Sequence, residues 1–180
     1  MTYTIDTRPA LPSDVLGIQE VFYQGWLYAY PSSAHGVTVE DIQHRYRHRH
    51  APENICKRMQ EYANVPLRLT VQVAVHHTRV IGVCRMSHNE ERNELEALYV
   101  LPRYQRQGYG HVLFVESLAK HNELLPTVVH VASYNNQAIQ FYRKLGFRDI
   151  RRLIENEKFR LQSGAIIPEI EMVLQPRPTS

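Results

Sequence analysis

The sequence predicts a single α/β domain: a mixed, mostly antiparallel, twisted sheet of about seven strands with helices on both faces. Three observations carry this. Apolar residues alternate with polar ones from Leu67 to Val75 and a second β-rich segment follows, which reads as an antiparallel hairpin. Helical spacing of apolar residues marks segments before and after it. A strand-like segment ending at Val100 is followed by a proline, two glycines, an amphipathic helix and another strand, which is the layout of a parallel crossover.

The 180 residues, 43% hydrophobic and 22% charged, suit one domain with a sizeable core. Residues 1–176 are expected to form it, with a frayed tail at 177–180. No apolar run approaches a membrane span, and the N-terminus lacks the basic start and apolar stretch of a signal peptide. Only two cysteines, Cys56 and Cys84, lie in separate segments, so a reduced, cytoplasmic protein is expected.

Along the chain, Tyr3 to Arg8 reads as an edge strand. Ser13 is the expected N-cap of a helix carrying Val15, Ile18, Val21, Phe22 and Trp26, which Tyr30-Pro31 ends. Thr38 and Asp41 form a capping box for a second helix. Pro52 breaks it, and Glu53–Ala63 resumes. Leu67–Val75 is a half-buried strand, His76–Arg79 a connection, Val80–Met86 a second strand and Glu94–Val100 a third, stopped by Pro102. Tyr109–His121 is a helix, and Thr127–Ala132 a strand parallel to Glu94–Val100. Asn135 caps a helix that Gly146 ends in left-handed conformation. Phe147–Ile154 and Ile166–Leu174 complete the sheet, and Pro168 places an edge or a bulge in the last strand.

The junction Leu98–Gly110 is the most informative stretch. A helix start leaves about four N–H groups unpaired and presents a partial positive charge. Gly108 and Gly110 lack the Cβ atoms that would hold a ligand off those amides, an arrangement suited to a pyrophosphate. Neither the P-loop lysine nor a full G-x-G-x-x-G is present, so a nucleoside-triphosphate loop and a dinucleotide fingerprint are excluded.

Gln105-Arg106-Gln107-Gly108-Tyr109-Gly110 resembles the [Q/R]-x-x-G-x-[G/A] acetyl-CoA signature of the GNAT superfamily of N-acetyltransferases. Asn135–Phe147 is similar to that family's N-x-x-A-x-x-F-Y-x-x-x-G-F helix. The two matches stand in family order, and the predicted elements follow it over nearly the whole chain. The resemblance implies transfer of an acetyl group from acetyl-CoA, as co-substrate, to an amine. It implies pantetheine along Leu98, Tyr99 and Val100, and pyrophosphate on the amides of Gln105, Arg106, Gln107, Gly108, Tyr109, Gly110 and His111. It further implies Asn135 on the pantetheine arm and Tyr142 as general acid beside the thioester sulfur. A core tyrosine is the alternative for Tyr142.

An amine of pKa about 10.4 is neutral in only about one molecule in 2,500 at pH 7, so about 4.6 kcal/mol separates it from its nucleophilic form. A nearby carboxylate is the common remedy. Glu94 and Glu96 share a strand face, and Glu94 falls where the resemblance places a base. Either serves as base, or both are solvated strand residues or simply orient substrate.

No metal is expected: His44 and His48 have helical spacing but no third ligand. The run His44–His50 is a solvated basic helix face, or else a patch for an acidic partner. Net charge of +3 is mild, and neither membrane nor nucleic acid is expected as a partner. The acceptor pocket implied by the resemblance is 26–50 with 155–164. Its basic, aromatic character disfavours polyamines, and a small-molecule amine is favoured over a protein N-terminus or lysine. A homodimer is also compatible with the family pattern. The competing reading is a non-catalytic acyl-CoA-binding sensor of the same fold.

Overall fold

The computed structural model describes residues 6–155, 157 and 160–176. Among them, seven strands form one sheet: β1 (Asp6–Pro9), β2 (Leu69–His76), β3 (Arg79–His88), β4 (Asn93–Val100), β5 (Thr127–Ala132), β6 (Arg148–Glu155) and β7 (Pro168–Leu174). Their order is β1-β2-β3-β4-β5-β7-β6, with β4 and β5 parallel and every other pair antiparallel. The helices are α1 (Val15–Ala29), α2 (Val39–Arg45), α3 (Pro52–Ala63), α4 (Tyr109–Leu118) and α5 (Asn136–Lys144). Successive β4 residues show the two covered faces: Tyr99 lies under Gly25 of α1, and Val100 lies near Gly110 of α4.

Most of the predicted order stands, with local corrections. Ser13 does not cap α1. A short 3-10 turn, Pro12–Asp14, precedes that helix, and the Asp14 carboxylate accepts from the Leu11 N–H at 2.8 Å and pairs with Arg8 at 2.6 Å. Thr38 and Asp41 do form the capping box of α2. Pro52 occupies the first turn of α3, where its missing N–H costs nothing. The segment His44–His50 is not one helix face, because α2 ends at Arg45 and turns follow. The β2 strand is not half-buried: Val71 to Val75 are buried on both faces, Gln72 and Ala74 included, because helices cover the sheet on either side. Leu67 lies outside β2 and is fully exposed. Pro168 opens β7, which lies between β5 and β6 and is therefore not the sheet edge. A proline is tolerated there because it is the first residue of the strand. Tyr3–Ile5 and the predicted tail at 177–180 lie outside the described residues.

Two apolar clusters form the core. The larger fills the sheet with Ile18, Val73, Val83, Met86, Leu95, Leu113, Ile139 and Met172. The smaller joins Val37, Ile42, Ala132, Leu161 and Ile167 under the aromatic rings of Tyr23, Trp26, Tyr30, Tyr46 and Tyr134. Buried Asn93 at the start of β4 donates to Asn122 O at 2.9 Å, and its own N–H donates to Pro126 O, which ties the start of β4 to the chain entering β5.

Candidate active site

The site begins where two parallel strands part. Pairing of β4 with β5 covers only Asn93–Leu95 against Thr127–Val129. Just beyond, Arg85 of β3 faces Ala97 while Met86 faces Leu95, so Glu96 is an extra residue with no partner in β3. Such a bulge bends its strand and strengthens its twist. From Glu96 to Val100, β4 keeps β3 on one side and turns its other edge to an opening lined across by His130–Ala132 of β5. An extended chain that enters this opening meets strand backbone able to hydrogen-bond it. Leu98 and Tyr99 lie in this stretch. The Val100 carbonyl already accepts from the Gln105 side chain at 3.0 Å.

At the end of β4 the chain makes a 3-10 turn, Pro102–Tyr104, and enters α4. Arg106 has φ +61° and Gly108 φ +90°, so the backbone reverses hand twice before the helix. The amides of 106–111 donate to no acceptor among the described residues, and the residues from Arg106 to Gly108 are exposed. They form a row of N–H groups at a helix N-terminus, where the helix dipole favours an anion. Gly110 has an additional reason to be glycine: a Cβ there would sit 3.3 Å from the Phe141 ring of α5. Tyr109 turns its ring into the core against Tyr104, so only its amide faces the row. Arg103 stacks its guanidinium over Tyr104 at 4.8 Å, while Arg106 is exposed.

Helix α5 closes the other side. Asn135 accepts from the Ala138 N–H at 3.1 Å, so its oxygen caps the helix and its amide N–H₂ remains available. Tyr142, two turns on, is buried, and its hydroxyl makes no hydrogen bond among the described residues. Burial raises its phenol well above the ordinary value of 10, and the nearby Tyr30 and Cys84 add to that. The proton is therefore retained throughout the physiological range. Gln137 of α5 donates to Gln105 at 2.8 Å and accepts from Tyr28 of α1 at 3.1 Å, a chain of side chains that crosses the mouth of the opening.

Glu94 and Glu96 stand on the sheet face opposite α4. Glu94 is half-exposed, 3.6 Å from Arg92, at the closed end of the opening. Glu96 stands at the fork and pairs with Arg85 at 2.5 Å. Both carboxylates thus have an arginine neighbour.

Sequence reasoning missed the tyrosine group on this face. Tyr30 and Tyr99 place their hydroxyls 2.8 Å apart, and Tyr134 donates to the Tyr30 carbonyl at 2.7 Å. Trp26, Tyr28 and Tyr30 lie in the stretch 26–50 that the resemblance assigns to the acceptor pocket, but nothing local in sequence brings Tyr99 and Tyr134 to them. The unused signal was Gly25: its missing Cβ would stand 2.5 Å from the Tyr99 ring, which is how α1 comes this close to β4. The basic run contributes stacking. Arg45 lies over Trp26 at 4.6 Å and Arg49 over Tyr23 at 3.9 Å, and Arg47 bonds both His44 and His48.

A sequence model of the Acetyltransferase (GNAT) family matches residues 36–147, which include the bulged strand, the amide row and α5. The chain belongs to the GNAT acetyltransferase family. This GNAT chain is 33% identical over 73 residues to CgeE, an uncharacterized N-acetyltransferase of Bacillus subtilis, a match spanning 40% of this chain and 28% of that relative. Among solved structures it resembles the PaiA N-acetyltransferase of Thermoplasma acidophilum in complex with coenzyme A. The TM-score is 0.71 at 20% identity, over 96% of this chain and 99% of that one. It also resembles YncA of Salmonella typhimurium, solved with acetyl-CoA, with TM-score 0.66 at 20% identity over 99% and 97% of the two chains. These likenesses agree with the mixed seven-stranded sheet. No helix among the described residues is long and apolar enough to cross a membrane.

Proposed function

We propose that this chain transfers an acetyl group from acetyl-CoA to a primary amine, that of a small molecule in preference to a protein N-terminus or lysine. The observation that supports this best is the alignment of the β4–β5 opening with the amide row of 106–111. One takes an extended pantetheine arm and the other the pyrophosphate to which that arm is joined. Leu98, Tyr99 and Val100 lie along the arm, the backbone from Gln105 to His111 holds the phosphates, and Asn135 offers its amide N–H₂ to the arm.

The thioester then sits between α5 and the tyrosine group. The amine enters as an ammonium and gives one proton to a carboxylate, Glu94 or Glu96, and so to water. Its lone pair attacks the thioester carbonyl carbon, the C–S bond breaks, and the nitrogen loses a second proton as the amide forms. The departing sulfur takes one proton, so one is released overall. Tyr142 donates a hydrogen bond to that sulfur as negative charge grows on it.

Calorimetric titration with acetyl-CoA, free CoA and NAD tests the binding step, and thiol release across an amine panel tests turnover. Micromolar binding of acetyl-CoA and CoA but not NAD, with thiol release on adding an amine, is the expected result. Absence of acetyl-CoA binding overturns the proposal. Binding without turnover on any amine marks a sensor of acyl-CoA instead.

A further inference from the structure

We propose that Glu169 receives the cationic amine of the acceptor as it enters, before a carboxylate of β4 takes its proton, and that the acceptor is a primary amine with no carboxylate beside it. This rests on the acetyl-transfer reading above and assigns the acceptor class of the same site.

Glu169 lies on β7 opposite Ala132 of β5. Directly paired residues of antiparallel strands share a sheet face. Ala132 belongs to the last part of β5, which has left β4, and it is buried under the aromatic rings of α1 and Tyr134. Glu169 therefore stands at the wide end of the opening, on the side of Tyr30 and Tyr134. Its charge acts on both phenols.

Glu169 differs in its partners from Glu94, Glu96, Glu171 and Asp41. Glu94 has Arg92, Glu96 has Arg85, Glu171 has His130 at 3.2 Å, and Asp41 has Thr38 and Ser163. Glu169, only partly exposed, makes no hydrogen bond or ion pair among the described residues. Burial raises its carboxyl, and nearby His130 partly offsets this. A half-buried carboxylate without a partner is costly unless a cation completes it. The phenol rings beside it add the electron-rich faces that favour an ammonium. The basic residues of 44–50 do not fill this role. Arg45, whose charge reaches Tyr30, is stacked on Trp26, Arg49 is stacked on Tyr23, and Arg47 is bound to His44 and His48. A carboxylate next to the acceptor's amine would face Glu169 across a short gap and be repelled. The basic composition of 26–50 suggested the opposite preference, because composition does not show that these charges are already engaged.

The test compares wild type with Glu169→Gln. Both are titrated with acetyl-CoA, and their CoA complexes with two matched pairs: tyramine against tyrosine, and putrescine against ornithine. Acetyl-CoA affinity is expected to be the same in both proteins. The wild type should bind tyramine or putrescine about 10-fold more tightly than its carboxylated counterpart, and the Gln variant should lose about 10- to 100-fold toward the same amine. Ligand-free Glu169→Gln should melt at a higher temperature than wild type, because an unpartnered charge has been removed. Equal binding of the carboxylated amines, no binding of any of the four, an unchanged Gln variant, or a lowered melting temperature each overturns the proposal. If wild type fails to bind acetyl-CoA, the acetyl-transfer reading itself falls, and that failure is visible before any amine is added.

Discussion

The hydroxyls of Tyr30 and Tyr99 lie 2.8 Å apart, joining the end of α1 to the part of β4 that has turned away from β5. Burial is the main reason both phenols are raised, Tyr30 to about 12 and Tyr99 well above 10. Tyr134 is likewise raised to about 12, chiefly by burial. A folded-state pKa above the unfolded value means the folded chain holds its proton more tightly. That stabilisation is fully present below about pH 10 and is lost as pH rises from there toward the folded values. Melting temperature should therefore be flat from neutral pH to about 9 and fall steeply from about 10 to 12. Ultraviolet titration should show these tyrosines ionising only with unfolding. Tyr30→Phe removes one donor and leaves Tyr99 without its partner, at an expected cost of about 1 kcal/mol in denaturant unfolding.

Gly25 is the contact that lets this pair form. A methyl group there would stand 2.5 Å from Cδ1 and 3.1 Å from Cγ of Tyr99, a ring already set edge-on against Phe22. Gly25→Ala gains helix propensity of about 1 kcal/mol, but overpacking of a filled site costs about 1–3 kcal/mol. Net destabilisation is expected, with the Tyr99 ring displaced into the opening. Acetyl-CoA affinity should fall more than that of Gly17→Ala, which presses on Val80 away from the opening. Equal affinities for the two variants would refute this account.

The fold was legible where one local rule decides the outcome. The capping box at Thr38, the Asn135 cap, left-handed Gly146 and the parallel partnership of β4 with β5 all follow from short patterns, and the structure has each. What the sequence hid was non-local. Gln72 alternates with valines as a solvent-facing residue would, yet it is buried because α4 covers that face of β2. Ser13 looked like a cap, but it lies inside the 3-10 turn before α1, where the side-chain bond is the one Asp14, paired with Arg8, accepts from the Leu11 N–H. Glu169 carries no motif. Its place beside Tyr30 and Tyr134 comes from β7 entering the sheet next to β5, a register that no local pattern encodes.

Glu94 and Glu96 separate by their neighbours. Replacing Glu96 with Gln removes the 2.5 Å pair and leaves Arg85 unmatched at the fork, so loss of stability is expected along with any loss of rate. Glu94→Gln disturbs only a looser contact with Arg92 at 3.6 Å, so it should leave stability nearly unchanged. If Glu94 is the base, that variant lowers kcat/KM by about 100-fold or more. If kcat/KM survives in Glu94→Gln and falls by that factor in Glu96→Gln, the role passes to Glu96. On the role proposed for Tyr142, Tyr142→Phe should lower kcat with little change in acetyl-CoA affinity, because a hydrogen bond to the departing sulfur counts only as charge forms there.

Asp41 ties the start of α2 to a distant loop. Its carboxylate accepts from the Thr38 N–H at 3.0 Å, and from the Ser163 N–H and Ser163 hydroxyl at 2.8 Å each. Those bonds bind α2 to the connection between β6 and β7, next to the strand that carries Glu169. Burial would raise the carboxyl, but the bonds from Thr38 and Ser163 outweigh it and hold it below its ordinary 3.8. The folded chain therefore binds this proton more weakly than the unfolded chain does. The stabilisation is complete above about pH 5 and is lost as pH falls through 4 toward the folded value. Asp41→Asn turns an N–H₂ group toward donors and should cost about 1–3 kcal/mol, or a drop of several degrees in melting temperature at neutral pH. The difference from wild type should narrow as pH falls below 4, where the unfolded chain takes up this proton first and the folded chain only at lower pH. Amine KM should rise while acetyl-CoA affinity stays constant, since the amide row of 106–111 lies on the other side of the opening. A rise in both constants together would show that α2 supports the whole site and not the acceptor side alone.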